Sequence, residues 1–219
     1  MSDSASGRVA ILISGRGSNL QAFLDSRDAG ELPGEIALVI SNSAQAEGLA
    51  RADAAGVAHR VIDHRDFDNR EAFDQSVLDC LLEADIELVI LAGFMRIITP
   101  VLTAPFEGRL LNIHPSLLPK YPGLNTHQRA LDAGDAEAGA TVHFVLPELD
   151  AGPPVIQVKV PILPGDDADS LASRVLAEEH VIYPIAARWY LQGRLRLHNT
   201  GALLDGQPLP AGGIPYIPA

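Results

Sequence analysis

The sequence predicts an α/β fold: a mostly parallel, twisted sheet flanked by helices, with an antiparallel section in the C-terminal half. The apolar, β-branched runs VAILIS (residues 9–14), IALVIS (36–41) and LVIL (88–91) read as strands buried on both faces. Segments with apolar residues at helical spacing lie between them, the βαβ alternation of a parallel sheet. After residue 140 the alternation stops, because ATVHFV (140–145) and VIQVKV (155–160) follow one another with only a loop between. That pair predicts the antiparallel section.

Residues 1–8, MSDSASGR, lack the long apolar segment of a secretory signal and read as a frayed terminus. The first strand runs into GRGSN (15–19), a glycine turn, and a helix follows in which Ser18 caps and Gln21 completes a capping box. Residues 46–55, closed by Gly56, read as the next helix, and 58–62 as a third strand. From 69 to 84 the positions Phe73, Val77, Leu78, Leu81 and Leu82 recur at helical spacing. Residues 88–91 are the fourth strand and LLNI (110–113) the fifth. Residues 170–190 form a long helix that Pro184 is expected to bend or break, and 194–198 a short pairing. With no repeat, low-complexity tract or long linker, residues 1–219 are read as a single domain.

Hydrophobic residues make up 47% of the chain and charged residues 20%, a balance that argues against disorder. The formal net charge of −12 opposes nucleic-acid binding, although a few backbone N–H groups and one cation can still hold a small anion. The longest apolar run, residues 88–95, is far short of the roughly 20 residues that cross a bilayer, so no membrane span is expected. Cys80 is the only cysteine, which precludes an intrachain disulfide and fits a reducing, cytoplasmic setting. It reads as an inert thiol on a helix.

GRGSN lies where a strand's carboxyl end meets a helix's amino end, so unpaired N–H groups and the helix dipole converge there. Leu20 stands in place of a dinucleotide motif's third glycine and no Gly-Lys-Ser/Thr follows, so a phosphate monoester suits it better than a dinucleotide or nucleoside triphosphate. A plain tight turn using two glycines is the competing reading. In NIHPSLLPKYPG (112–123), Asn112 and His114 are two apart and project the same way as their strand ends. An amide that donates to a developing oxyanion and an imidazole that moves a proton are what acyl transfer to an amine requires. A lone histidine beside a strand is more often structural. Asp150, in the turn-forming ELDAGPP, either orients His114 and favours its protonated form or simply starts a turn. The remaining histidines have no metal-ligand spacing, so no metal is expected. Ser14, Ser116 and Thr126 lack a nucleophile's context.

Together, ISGRGSNLQ (13–21), LAGFMRI (91–97), NIHPSLLPKYPG and the set Asn112, His114 and Asp150 closely resemble the phosphoribosylglycinamide formyltransferase family, over roughly residues 8–207. The resemblance implies a Rossmann-like formyltransferase fold. It also implies direct transfer of the formyl group of 10-formyltetrahydrofolate to the amine of glycinamide ribonucleotide in purine synthesis, without metal or acyl-enzyme. By the same resemblance, Asn112 stabilises the oxyanion, His114 handles the proton, and Asp150 raises the His114 pKa. The phosphate loop falls on Gly17, Ser18 and Asn19, with a further ribonucleotide contact at Glu179. The N-terminal half would thus bind the ribonucleotide and the C-terminal half complete the folate and catalytic site.

The folate side falls on Arg70, Met95, Arg96, Ile97 and Ile98, and on Leu146, Pro147, Glu148, Leu149 and Asp150, with Asn112. Met95 and residues 97–98 would wall a flat apolar ring, or else are ordinary core. Arg70 and Arg96 would meet the folate's glutamate tail, or else are solvated cations. His143 resembles a family histidine near the reaction centre, and its place in ATVHFV also fits a simple strand face. Arg16 replaces a smaller polar residue, and Asn125 stands where a histidine is expected.

Methionyl-tRNA formyltransferase and formyltetrahydrofolate hydrolase share this core. The first would need a basic C-terminal domain and the second an extra N-terminal one. A non-catalytic folate or nucleotide sensor would not need Asn112, His114 and Asp150, and a nicotinamide dehydrogenase would need the third glycine and a ribose-binding acid. The expected partners are therefore small-molecule substrates, with no nucleic acid and no membrane, bound by a monomer or homodimer.

Overall fold

The computed structural model describes residues 7–199 and 201–218. Its chain divides into two compact units, Met1–Leu111 and Asn112–Ala219. The first contains β1 (Gly7–Ile13), α1 (Ser18–Asp28), β2 (Gly34–Ser41), α2 (Gly48–Ala54), β3 (His59–Val61), α3 (Arg70–Glu83), β4 (Leu88–Leu91) and the single-turn α4 (Pro100–Thr103). Its strands lie in the order β4-β1-β2-β3, and the three pairings are parallel. Val9 to Ile13 and Leu88 to Ile90 are fully buried, as strands covered by helices on both sides require.

Several local expectations change in this unit. Residues 1–6 of the anticipated frayed terminus lie outside the described residues, and Gly7 and Arg8 open β1. Arg8 is held there by Nε donating to the Ala84 carbonyl at 2.8 Å and by an ion pair with Glu35. Ser18 is the first helical residue of α1 rather than its cap. Gly17 takes the N-cap position at φ 70°, and no side chain caps the helix. Gln21 cannot close a capping box because its side chain donates to Asp25 and accepts from Arg51. The helix expected over 46–55 is shortened to Gly48–Ala54. By contrast, α3 starts as its sequence dictates, with Asn69 capping the Ala72 N–H at 2.8 Å. Burial pushes the Cys80 thiol pKa up, as an inert thiol requires.

β5 (Leu110–His114) carries the chain into the second unit. There follow α5 (Thr126–Asp132), β6 (Glu137–Phe144), β7 (Pro154–Pro161), α6 (Ala168–Leu191), β8 (Leu195–His198), β9 (Gly201–Leu204), β10 (Gln207–Pro208) and β11 (Ile214–Tyr216). The order β11-β7-β6-β5 holds the predicted antiparallel β6–β7 pair, and β11 adds a parallel edge that the sequence did not announce. The anticipated pairing at 194–198 is the start of a separate antiparallel sheet, β10-β9-β8.

α6 packs on β6 and β7 and runs unbroken through Pro184, so the break considered for that position does not occur. Ile182, Tyr183, Pro184, Ala186 and Ala187 are all buried, so tertiary packing offsets the missing backbone donor. The N-terminus of α6 is fixed by a capping box between Asp167 and Ser170, beside Asp166 paired with Arg174.

The β6–β7 hairpin is drawn unusually tight at Gly152. A Cβ there would lie 1.7 Å from the Phe144 carbonyl oxygen and 3.5 Å from His143 Nδ1. Only glycine allows this approach, and it ties the loop bearing Asp150 to the strand bearing His143. Gly152→Ala is expected to lower the unfolding free energy by about 1–3 kcal/mol, measured by urea denaturation, because the loop must back away from β6.

Candidate active site

The second unit brings together the residues singled out for proton transfer. Asn112 and His114 lie on β5, two residues apart, so the strand's pleat sends both side chains the same way. His143 is the penultimate residue of β6, and Asp150 sits in the following loop at φ 52°, a left-handed conformation that aspartate tolerates better than most residues. The side chains of His114, His143 and Asp150 are all buried.

Two contacts define the cluster. His114 Nδ1 lies 3.4 Å from Asp150 Oδ2, and His143 Nε2 lies 3.1 Å from Asn112 Nδ2. Asp150 Oδ1 is 3.9 Å from His143 Nε2, while its Oδ2 also accepts the Gly123 N–H at 2.9 Å. The carboxylate therefore stands between two imidazoles and is anchored by a backbone donor.

Hydrogen-bond chemistry fixes the ring states. His143 Nδ1 is 2.8 Å from the Phe144 carbonyl, which only accepts, so Nδ1 carries a proton. Burial holds the His143 pKa down to about 4, so the ring is neutral at pH 7 and its Nε2 is an acceptor. Asn112 must then present its amide N–H to Nε2, which sets the flip of that amide and leaves its second N–H for another acceptor. His114 Nε2 donates to the Tyr121 carbonyl at 2.9 Å, which leaves Nδ1 as the nitrogen facing Asp150.

The Tyr121 carbonyl was not legible as a partner, because Tyr121 reaches it by adopting φ 55° in the proline-rich loop. That loop includes the cis Leu118–Pro119 bond. It is seated on β6 and β7 by Thr141, whose hydroxyl donates to the Ser116 carbonyl and accepts the Leu118 N–H. Gln157 donates to the same hydroxyl and to the Leu118 carbonyl. Asn125 occupies a left-handed position at φ 57° ahead of α5, which asparagine tolerates better than most side chains.

The remaining residues of this unit are arranged differently. Leu146 is half-buried, and Pro147, Glu148 and Leu149 form an exposed lip, Leu149 at 53%. Glu179 is a buried carboxylate within α6.

The first unit carries the glycine turn and the 92–99 loop. Gly17 and Asn19 are buried, Ser18 is half-buried, and the Arg16 side chain is exposed. The 92–99 loop is tied down along its length. Ala92 N–H donates to the Leu12 carbonyl, Met95 N–H to Ser14 Oγ at 2.7 Å, and Thr99 N–H to the buried Asp74 carboxylate. Burial raises the Asp74 pKa, with the Thr99 donor acting against it. Phe94 stacks on Phe73, with ring centroids 6.3 Å apart.

Between those ties the loop lifts Met95 and Ile97 outward, at 69% and 54% exposure, while Ile98 is buried. Arg96 is half-buried with its Nε shielded from solvent and without a hydrogen-bond partner, and Arg70 is exposed at the start of α3. Ser14 and Asp74 are the positioning residues that sequence reasoning missed, because each acts on a distant backbone N–H.

Among the described residues no group of three or more His, Cys, Asp or Glu side chains could hold a metal ion. No described helix is long and apolar enough to cross a membrane.

A family model for formyl transferases matches residues 7–187. The phosphoribosylglycinamide formyltransferase of Escherichia coli (strain K12) is 49% identical over 205 residues, covering 94% of this chain and 97% of its own. The solved phosphoribosylglycinamide formyltransferase of Coxiella burnetii superposes with a TM-score of 0.93 at 44% identity, over 97% of this chain and all of that one. A solved formyltetrahydrofolate deformylase from Pseudomonas syringae pv. tomato has a TM-score of 0.85 at 25% identity, over 92% of this chain and 66% of that one. With most of its length matched by the model and by relatives of nearly the same extent, the chain belongs to the formyl transferase family.

Proposed function

We propose that the chain transfers the formyl group of 10-formyltetrahydrofolate to the primary amine of glycinamide ribonucleotide, releasing tetrahydrofolate, in purine biosynthesis. The observation that carries this reading is the cluster of one amide, two imidazoles and one carboxylate described above. The deformylase is a more distant relative than the formyltransferases, which supports transfer to an amine over transfer to water.

Each residue has a task in that reaction. The amine attacks the formyl carbon and charge develops on the formyl oxygen, where the second N–H of Asn112 donates. The Asn112 amide is oriented for this by neutral His143, whose own tautomer is set by the Phe144 carbonyl. The proton released by the amine is held between His114 Nδ1 and Asp150, then returned to N10 of the leaving folate. Nε2 of His114, tied to the Tyr121 carbonyl, keeps the ring from turning during the exchange.

We assign the 5′-phosphate of the ribonucleotide to Gly17, Ser18 and Asn19, with Glu179 as a second ribonucleotide contact. The folate is assigned to Arg70, Met95, Arg96, Ile97, Ile98 and the lip from Leu146 to Asp150. In the first unit, exposed Met95 and Ile97 offer apolar surface to a flat ring, and the shielded Nε of Arg96 is a donor without a partner that a carboxylate tail can satisfy. The reaction as written needs no metal. The same reading treats residues 1–219 as one formyltransferase domain, supported by a family match that runs across the division at Leu111, and sets it in the cytoplasm as a monomer or homodimer.

Three measurements check this reading. Purified protein with both substrates and no added metal should release tetrahydrofolate, and omission of the ribonucleotide should abolish release; equal release without it would identify a hydrolase. His114→Ala is expected to lower kcat by roughly 10² to 10⁴ and Asn112→Ala by roughly 10² to 10³, with steady-state rates near wild type removing either from the chemistry.

The third concerns His143, whose folded pKa near 4 lies below its unfolded value of 6.5. Between those values the unfolded chain binds more protons, so this residue's contribution makes stability fall as pH drops from 6.5 towards 4. His143→Ala should show a shallower loss over that window in urea titrations, whereas an unchanged slope would mean that His143 is not held neutral by burial.

A further inference from the structure

We propose that Gly48 and Arg51, both on α2, are positioning residues for the phosphate cradle: they take the carbonyls of the glycine turn and so aim its N–H groups at the substrate phosphate. This rests on the assignment of the phosphate to residues 17–19 made above.

Three consecutive carbonyls of the turn are each committed to a donor. The Gly15 oxygen accepts the Gly48 N–H at 3.0 Å, the Arg16 oxygen accepts Arg51 Nε at 2.9 Å, and the Gly17 oxygen accepts the Gln21 N–H at 2.9 Å as the first bond of α1. In a trans peptide the C=O and the next residue's N–H point in opposite directions. Once those carbonyls are committed to α2 and α1, the N–H groups of Arg16, Gly17 and Ser18 are turned the other way. Successive N–H groups facing one side of a turn, with a left-handed residue in it, form a concavity that receives an anion. Gly17 supplies that left-handed residue at φ 70°.

The packing between α2 and the turn is as demanding as the hydrogen bonds. A Cβ on Gly17 would lie 2.7 Å from Gly48 Cα, and one on Gly48 would lie 3.1 Å from Gly17 Cα and 2.6 Å from Ile13 Cδ1. Two backbones thus meet with no side chain between them, which brings the Gly48 N–H within reach of the Gly15 carbonyl.

Arg51 completes the clamp by a second bond, Nη1 to Gln21 Oε1 at 3.0 Å, so one guanidinium holds the turn and the first turns of α1 together. This also explains why Gln21 is not part of a capping box. The exposed Arg16 side chain takes no part in the clamp; only its carbonyl does.

The test compares glycinamide ribonucleotide with its dephosphorylated analogue as formyl acceptors, for wild type, Arg51→Ala and Gly48→Ala. Losing an oriented, charge-assisted donor set predicts a rise of about tenfold to a hundredfold in KM for the ribonucleotide, with kcat and the KM for 10-formyltetrahydrofolate within about twofold of wild type. With the dephosphorylated acceptor the two variants should match wild type. Equal losses on both acceptors, or a fall in kcat at unchanged KM, would overturn the proposal. If wild type itself fails to distinguish the two acceptors, the phosphate assignment is wrong; if wild type distinguishes them and Arg51→Ala does so equally well, only the role of the clamp is wrong. Arg51 is half-buried on a short helix, so thermal unfolding of Arg51→Ala near that of wild type separates a local effect from misfolding, and Gly48→Ala probes the same turn through packing alone.

Discussion

The chemistry of the second unit depends on one close approach, that of Gly152 to the backbone of Phe144. The Phe144 carbonyl sets the His143 tautomer, and the loop held against it delivers Asp150 to both imidazoles. A buried polar cluster is stable only when every member has a partner, since a lone buried polar group costs about 1–3 kcal/mol. Here the partners at the perimeter are backbone groups: the Phe144 and Tyr121 carbonyls and the Gly123 N–H. The geometry of the chain path, rather than further side chains, closes the network.

The first unit follows the same rule with the opposite polarity. Its turn commits carbonyls to neighbouring elements and is left presenting donors, a surface suited to an anion on a protein whose overall charge is −12. Local peptide orientation thus overrides the global field. The 92–99 loop is likewise fixed through its N–H groups by Leu12, Ser14 and Asp74, which frees Met95 and Ile97 to face outward.

Much of this was legible in the sequence wherever a residue's role is local. Strands buried on both faces appear as unbroken apolar runs, α3 is announced by its periodic apolar face, and a two-residue spacing is enough to co-orient Asn112 and His114. Reading failed where a backbone group meets something distant. Ser18 has the composition of a cap, yet the left-handed Gly17 takes that position, just after two carbonyls that accept from α2. Pro184 has the composition of a breaker, yet a buried face on α6 holds the helix together around it. The single-turn α4 and the edge strand β11 are too short to show a period, and Tyr121 gives no hint in its side chain that its carbonyl will steady the His114 ring.

The seating of the proline-rich loop on Thr141 and Gln157 places an uneven burden on the sequence. Both residues read main-chain atoms of Ser116 and Leu118, two buried positions, so the footing itself asks nothing of the side chains that the loop exposes. The loop can therefore change the residues it exposes, such as Lys120 and Pro122, while two residues on the strands beneath keep it in register. The freedom to vary resides in the loop, and the obligation to hold it still resides in the floor.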